Sequence, residues 1–198
     1  MSSCVATPAR RDCGPVSFAQ CATLREMVDL FLILRKDRVE QERAWWADPT
    51  LSPEAACRRA LFGLGGVRDT HQWIFSAAEL EAMAEQVALH SATLAAAKDF
   101  EDLYRRIEVA LGLRRDRKPL LVYDIAHRLG HRIGREPEQV YLHAGPEKGA
   151  EALKPGLGRP RRRPLSDFPK SIRTRLAPAQ AEDFLCLAAK ALRADLWD

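Results

Sequence analysis

Apolar residues recur at intervals of three and four along most of this chain, and sustained apolar–polar alternation is not seen. In the first long segment Leu24, Met27, Val28, Phe31 and Leu34 have the spacing that lines the buried face of a helix. A chain of 198 residues can bury a substantial core. We therefore predict an all-α fold, with a single globular helical domain over residues 17–198 and a flexible N-terminal arm over residues 1–16.

Helix-start signals divide the domain into segments. Ser52 followed by Pro53 combines a capping residue with a favoured first helical residue, and Ser76 with Glu79 forms a capping box. Glycines between residues 63 and 66 indicate a loop over 63–75 before that second start. Further helices are predicted to begin at Asp99, Pro119 and Pro178.

Composition indicates a soluble cytoplasmic protein. Hydrophobic residues make up 46% and charged residues 29% of the chain, which is ordinary for a globular domain. The five cysteines are an odd number without a C-x-x-C pair, which is typical of reduced thiols. We see no apolar run long enough to span a membrane and no signal peptide, so we expect no membrane partner. A monomer is favoured, although the sequence does not fix the oligomeric state.

Positive charge is concentrated in one part of the chain. Residues 105–175 contain 18 Lys and Arg against 8 Asp and Glu, a net charge of +10, whereas the whole chain carries +4. A basic block of this kind is typical of proteins that bind polyanions, most often nucleic acid. The alternative is a solvated basic face with no partner.

The helix predicted over Pro119–Ile133 carries the densest set of candidate functional groups. Its apolar face is formed by Val122, Ile125, Ala126, Leu129 and Ile133. Asp124, Arg128, His131 and Arg135 follow at helical spacing and are predicted to form one polar stripe. Gly130 and Gly134 disfavour a helix, so we expect something to pack closely there, either a neighbouring helix or a phosphate backbone.

The segment IEVALGLRRDRKPLLVYDIAHRLG resembles a helix-hairpin-helix DNA-binding module in its apolar spacing and in Ala126. The module's hairpin usually has two glycines one residue apart, whereas this chain has only Gly112 and a longer arginine-rich turn. The resemblance implies a duplex DNA partner. The phosphate contacts would then come largely from side chains of the turn, namely Arg114, Arg115, Arg117 and Lys118.

A broader set of motifs is similar to a family of bacterial proteins of unassigned function. The motifs are His71-Gln72, VYDIAHRLG from Val122, VYLHAG from Val140 and EDFLC from Glu182. Members of that family have a glycine-containing turn before the YD pair, where this chain has DRKP. The resemblance implies one fold over most of residues 45–190 and supplies no activity.

Asp124 is the candidate catalytic carboxylate. It lies near a helix start, where the helix dipole favours an ionised carboxylate, and such a group stabilises an oxocarbenium-like sugar in glycoside chemistry. Enzymes that remove a base from DNA combine that group with an aromatic pocket for the flipped base. We therefore predict a DNA glycosylase-type hydrolase acting on a modified or damaged base, without a cofactor. The predicted catalytic residues are Asp124, His143 and His71, and the predicted substrate-binding residues are Gln72, Trp73, Tyr123, Arg128 and Tyr141.

A second basic segment follows the candidate site. Residues 154–164, KPGLGRPRRRP, are predicted to form an extended surface loop because of their Pro and Gly spacing. Its arginines are candidate phosphate contacts, and an alternative is a plain linker to the last helix. The predicted nucleic-acid-binding residues of this region are Lys148, Arg161, Arg162 and Arg163.

Structural alternatives exist for each candidate residue. Asp124 can cap helix amides or pair with Arg128, and His71-Gln72 can stabilise a turn. His143 can be a hydrogen-bonded structural histidine, while Trp45 and Trp46 are better explained as core anchors than as a base cage. At the level of the whole protein, the alternatives to an enzyme are a non-catalytic DNA-binding or regulatory protein and a protein-interaction module.

His127 and His131 have the spacing of two zinc ligands on one helix turn. Between them the sequence has Arg128 and no glutamate, and a cation beside a metal is unfavourable. If a site existed, His143 would be the third ligand. We predict no metal.

Overall fold

The structure is a computed structural model that describes residues 17–114 and 118–198. In that part of the chain the fold is all-α, as predicted, with one small two-stranded sheet. The predicted arm over residues 1–16 lies outside the described residues. The α-helices are α1 (Leu24–Trp46), α2 (Pro53–Ala60), α3 (Ala77–Leu89), α4 (Ser91–Ala95), α5 (Phe100–Ala110), α6 (Pro119–Ile133), α7 (Gly145–Leu153), α8 (Lys170–Arg173) and α9 (Pro178–Ala188).

The helix starts follow the predicted capping signals. The Ser52 hydroxyl accepts a hydrogen bond from the backbone N–H of Ala55 at the start of α2. At the start of α3 the Ser76 hydroxyl accepts from the Glu79 N–H, and the Glu79 carboxylate accepts from the Ser76 N–H. These side chains satisfy donors that a helix N-terminus leaves open.

One hydrophobic core is built from consecutive parts of the chain. It is contributed mainly by α2 to α6, and Tyr141 is its last residue in sequence. Its largest fully buried side chains include Phe100 and Tyr104. The predicted inward face of α6 is confirmed for Val122, Ile125 and Leu129.

A second core joins the beginning of the described chain to its end. It contains the first half of α1 together with residues of α7, α8 and α9. Leu24, Met27, Val28 and Phe31 are buried there as predicted, but Leu34 is 49% exposed. The prediction for Leu34 was wrong because the second half of α1 leaves this core and lies along α6.

Strand β1 (Val140–Tyr141) pairs antiparallel with β2 (Arg162–Arg163). Tyr141 belongs to the first core, whereas Val140 and Leu142 belong to the second. Side chains of successive strand residues point to opposite faces, so this short segment separates the two cores. The prediction of an irregular loop over residues 154–164 was wrong at Arg162–Arg163, which the pairing with β1 holds in a strand.

Helices α5 and α6 pack against each other, as the predicted pair requires. The turn between them includes Gly112, whose φ is +61°. Arg115 and Arg117 lie outside the described residues, so the hairpin-like turn itself stays a prediction.

The close approach predicted at Gly130 is made by the chain itself. A Cβ at Gly130 would lie 2.3 Å from the Arg135 carbonyl oxygen. Gly134 ends α6 with φ +66°, and the Arg135 N–H donates to the Gly130 carbonyl at 3.0 Å. The two glycines therefore let the chain fold back over the end of α6. Neither a phosphate backbone nor a neighbouring helix is needed to explain them.

The crossing of α7 and α9 also depends on glycine. A Cβ at Gly149 would lie 2.2 Å from the Leu185 carbonyl oxygen, and one at Gly145 would lie 2.5 Å from the Cys186 sulfur. The backbone of α7 therefore lies directly against α9. Helix α7 was not predicted from the sequence.

Candidate active site

The candidate site lies where α6 meets the loop before α3. A short 3₁₀ helix, Thr70–Ile74, carries His71, and α6 carries Asp124. Nε2 of His71 lies 2.7 Å from Oδ2 of Asp124. The His71 side chain is 31% exposed and the Asp124 side chain 17% exposed, so the pair lies at the rim of the core. Two residues that were predicted as catalytic are thus in direct contact.

Arg128 approaches the same carboxylate oxygen of Asp124 as His71 does. Its Nη2 lies 3.7 Å from Asp124 Oδ2 and also contacts the carboxylate of Asp69. Its Nη1 donates to the Ala60 carbonyl at 3.0 Å. Arg128 is only 6% exposed, so the prediction that it is displayed on a polar stripe was wrong. Its contacts tie α6 to α2 and to the loop before α3.

Asp124 is ionised in this environment. Burial by itself raises the pKa of Asp124, but the positive charge of Arg128 and the contact with His71 outweigh burial and hold it below its usual range. The predicted ionised form of Asp124 is thus favoured by Arg128 and His71 rather than by the helix dipole. Asp124 is the sixth residue of α6, beyond the first turn in which the helix dipole acts most strongly.

His143 and Tyr123 lie on the inner side of this pair. Their rings meet edge to face with centroids 4.9 Å apart, and both residues are buried. Burial lowers the pKa of His143 to about 4, so its imidazole is neutral near pH 7. Burial, with the nearby Glu182 carboxylate, raises the pKa of Tyr123 well above its usual value, so its hydroxyl keeps its proton.

Several polar atoms of the site lack a hydrogen-bond partner among the residues that the structure describes. They include the Tyr123 hydroxyl and both ring nitrogens of His143. Nδ1 of His143 lies 3.7 Å from Oε1 of Glu182, which is beyond hydrogen-bond range. Buried polar groups are usually satisfied, so these atoms mark a place where a polar ligand or water would bind. The structure does not show the hydrogen-bonded structural role that was the alternative for His143.

Two predicted substrate-binding residues point into the protein. The Gln72 side chain donates to the Leu61 carbonyl at 2.6 Å and accepts from the Asp69 N–H at 2.9 Å. The Tyr141 hydroxyl donates to Glu101 at 2.7 Å. Their polar groups are already bonded inside the fold, and the prediction that they bind substrate stays a prediction. For Gln72 the structure matches the turn-stabilising alternative.

An exposed apolar patch lies beside His71. Trp73 is 71% exposed and Ile74 80% exposed, and both follow His71 on the same short helix. Trp45 and Trp46 do not contribute to it. Trp46 is buried and stacks on His131, and the Arg59 guanidinium lies over the ring of Trp45, which supports their interpretation as anchors.

The predicted phosphate-binding residues that the structure describes fall into two groups. Arg114, Lys118, Lys148 and Arg161 are exposed. Arg162 instead pairs with Glu101 at 3.0 Å, and Arg163 pairs with Asp167 at 3.1 Å and donates to backbone carbonyls. These two guanidinium groups bind partners within the fold, and their predicted contact with phosphate stays a prediction.

A cavity of about 70 Å³ lies between α2, α4, α5 and α6 and is mainly apolar. A smaller space of about 10 Å³ lies beside His143, Tyr141 and Arg161. Asp124 lines neither of them.

A metal ion does not fit this site well. Asp69, His71 and Asp124 place donor atoms within 4.8 Å of one another. The Arg128 guanidinium already contacts both carboxylates. It supplies there the positive charge that a metal ion would bring.

Two residues of the site were missed in the sequence. Asp69 precedes Gln72 by three residues, a capping spacing that would have indicated a helix start and a fixed carboxylate. Glu182 belongs to the EDFLC motif, and its position opposite His143 could not be read from sequence distance. Comparison with protein-family models, with curated proteins and with solved structures gave no match.

Proposed function

We propose that this chain binds duplex DNA and hydrolyses the N-glycosidic bond of a modified or damaged base. The observation that carries the proposal is the Asp124 carboxylate in contact with His71, bordered by the unpartnered polar atoms of Tyr123 and His143. A fixed carboxylate is the group that stabilises the positive charge of an oxocarbenium-like transition state.

Each residue has a role in this proposal. Asp124 faces the sugar, His71 exchanges a proton at the rim, and His143 is the neutral donor or acceptor behind them. Trp73 offers an exposed aromatic face on which a displaced base can stack. Arg128 does not touch the substrate but positions Asp124 and keeps it charged.

The basic surface supplies the affinity for DNA in this proposal. Arg114, Lys118, Lys148 and Arg161 are exposed and lie in the segment whose net charge is +10. Cationic side chains of this kind bind phosphate without reading sequence.

The test is base release from duplexes that carry different modified bases, measured as abasic sites. Asp124→Asn should lower the rate by about a hundredfold or more. The matched control Asp37→Asn changes an exposed carboxylate of α1 and should leave the rate unchanged. Absence of abasic sites with every duplex would contradict the proposed activity.

A specific observation favours the non-catalytic alternative. Asp124 pairs with Arg128 as the structural explanation predicts, and it lines neither cavity described above. A chain that releases no base, and whose affinity for DNA is unchanged by Asp124→Asn, would be a binding protein. If the chain does not bind DNA, the remaining alternative is a protein-interaction module. The exposed Trp73 and Ile74 would then form its contact surface.

A further inference from the structure

The end of α6 carries a second cluster that the proposed function does not use. It consists of His127, His131 and Glu136, whose ligand atoms all lie within 4.8 Å of one another. Nδ1 of His131 is 3.0 Å from one carboxylate oxygen of Glu136, and Nε2 of His127 is 3.8 Å from the other. The two imidazole rings have centroids 4.5 Å apart.

The backbone explains how three such groups meet within ten residues. His127 and His131 are one helical turn apart and therefore share a face of α6. Gly134 then reverses the chain with φ +66°, and Gly130 leaves room for the Arg135 carbonyl. This turn returns Glu136 to the face that carries both histidines.

Neighbouring rings hold the histidines in place. The His131 side chain is 6% exposed and stacks on Trp46 with centroids 6.2 Å apart. His127 stacks on Tyr123 at 5.7 Å. Glu136 is 44% exposed, so the cluster is rigid on its inner side and open to solvent on its outer side.

The cations nearby do not occupy the cluster. Arg128, which made a metal improbable from the sequence, has its guanidinium bonded to Asp69 and Ala60 instead. Arg43 reaches Glu136 at 3.4 Å, but its side chain is 64% exposed, and an exposed pair of this kind is weak. A metal ion between the three groups would replace the direct contact of Glu136 with His131 and would compete only weakly with Arg43.

We propose that His127, His131 and Glu136 form a binding site for a divalent transition-metal ion, with Zn²⁺ as the ion to test. Two imidazole nitrogens and one carboxylate oxygen are a donor set that zinc takes in proteins, and three protein ligands leave the fourth position to water. The third ligand is Glu136 rather than His143, which lies inside the core beside Glu182. The proposal is independent of the proposed action on DNA.

The experiment is calorimetric titration of the chelator-treated, full-length chain with Zn²⁺. One ion should bind per chain, and the melting temperature should rise with Zn²⁺ and fall again with chelator. Glu136→Gln and His127→Gln should each weaken binding by more than about tenfold, since even outer-shell changes at metal sites cost that much. Glu138→Gln changes an exposed carboxylate two residues away and is the matched control.

Titration with Co²⁺ separates this site from the five cysteines of the chain. The proposed ligands give no thiolate-to-metal charge-transfer band, whereas binding at cysteine would give one. The proposal would be overturned by absence of binding, by a thiolate band, or by an affinity that the two ligand variants leave at the level of the control.

Discussion

At the scale of single residues, Arg128 has the strongest structural role in the site. Its buried guanidinium contacts Asp69, Asp124 and the Ala60 carbonyl. Removing one partner of a buried ion pair leaves the other charge uncompensated. Arg128 thus contributes both to the charge state of Asp124 and to the attachment of α6 to α2.

We expect Arg128→Ala to lower the free energy of unfolding by about 3 kcal/mol, because it leaves Asp69 and Asp124 without their common cation. Urea denaturation measures this change. The control Arg193→Ala removes an exposed pair with Asp195 and should cost less than about 1 kcal/mol. Equal losses in the two variants would contradict the role given to Arg128.

His143 should make stability dependent on pH. Its pKa is about 4 in the fold and about 6.5 in an unfolded chain, so the unfolded state binds more protons between these values. Stability is therefore fully present above about pH 6.5 and falls as the pH drops towards 4. In urea denaturation at several pH values, His143→Gln should reduce that fall by at most about 1.4 kcal/mol per pH unit. An unchanged slope would contradict the prediction.

Only part of the chemistry of the site could be predicted from the sequence. Asp124 and His71 are residue types that suit acid–base work, and they do meet. Gln72 and Tyr141 are equally suitable by type, yet their polar groups are bonded to Leu61 and Glu101. Which way a side chain points depends on contacts between residues far apart in the chain, and no local pattern encodes those contacts.

At the scale of elements, local signals predicted the helices well. α6 begins at Pro119 and ends at Ile133, as its proline, apolar spacing and following glycine indicate. α7 was missed because its Gly145 and Gly149 disfavour a helix by local propensity. Those glycines are explained by α9, because an added side chain would meet the Cys186 sulfur at Gly145 and the Leu185 carbonyl at Gly149.

The α7–α9 crossing gives the prediction at this scale. Gly149→Ala should destabilise the protein by about 1–3 kcal/mol, although alanine favours a helix more than glycine does. The added Cβ would meet the Leu185 carbonyl at 2.2 Å, so α7 must move away from α9. Thermal and urea denaturation measure the loss. Lys148→Ala, an exposed change on the same helix, should be nearly neutral, and a neutral Gly149→Ala would contradict the packing argument.

At the scale of the whole molecule, the charge asymmetry of the sequence does not translate directly into an open basic surface. Arg162 and Arg163 belong to the basic segment but pair with Glu101 and Asp167. A count of charges cannot distinguish such internal partners from cations that face solvent. Among the described residues, no helix is long and apolar enough to cross a membrane.

The affinity of the proposed DNA binding should depend on the exposed cationic side chains. Replacing Arg114 and Lys148 together with alanine should weaken binding and reduce the slope of log K against log salt concentration by about 2, since each phosphate contact contributes about 0.9. Fluorescence anisotropy across a salt series measures the slope. Lys190→Ala, an exposed change after α9, is the control. Slopes that match the control would exclude these side chains as phosphate contacts.

The two cores have a consequence for the order in which the chain assembles during synthesis. The residues of the first core all lie between Cys57 and Tyr141, whereas the second core contains both Leu24 and Leu196. Domains form as their residues leave the ribosome, so the first core can close while translation continues. The apolar face of α1 must wait for α8 and α9, which are synthesised after the first core is complete. During that interval this face is the surface that a chaperone would have to shield.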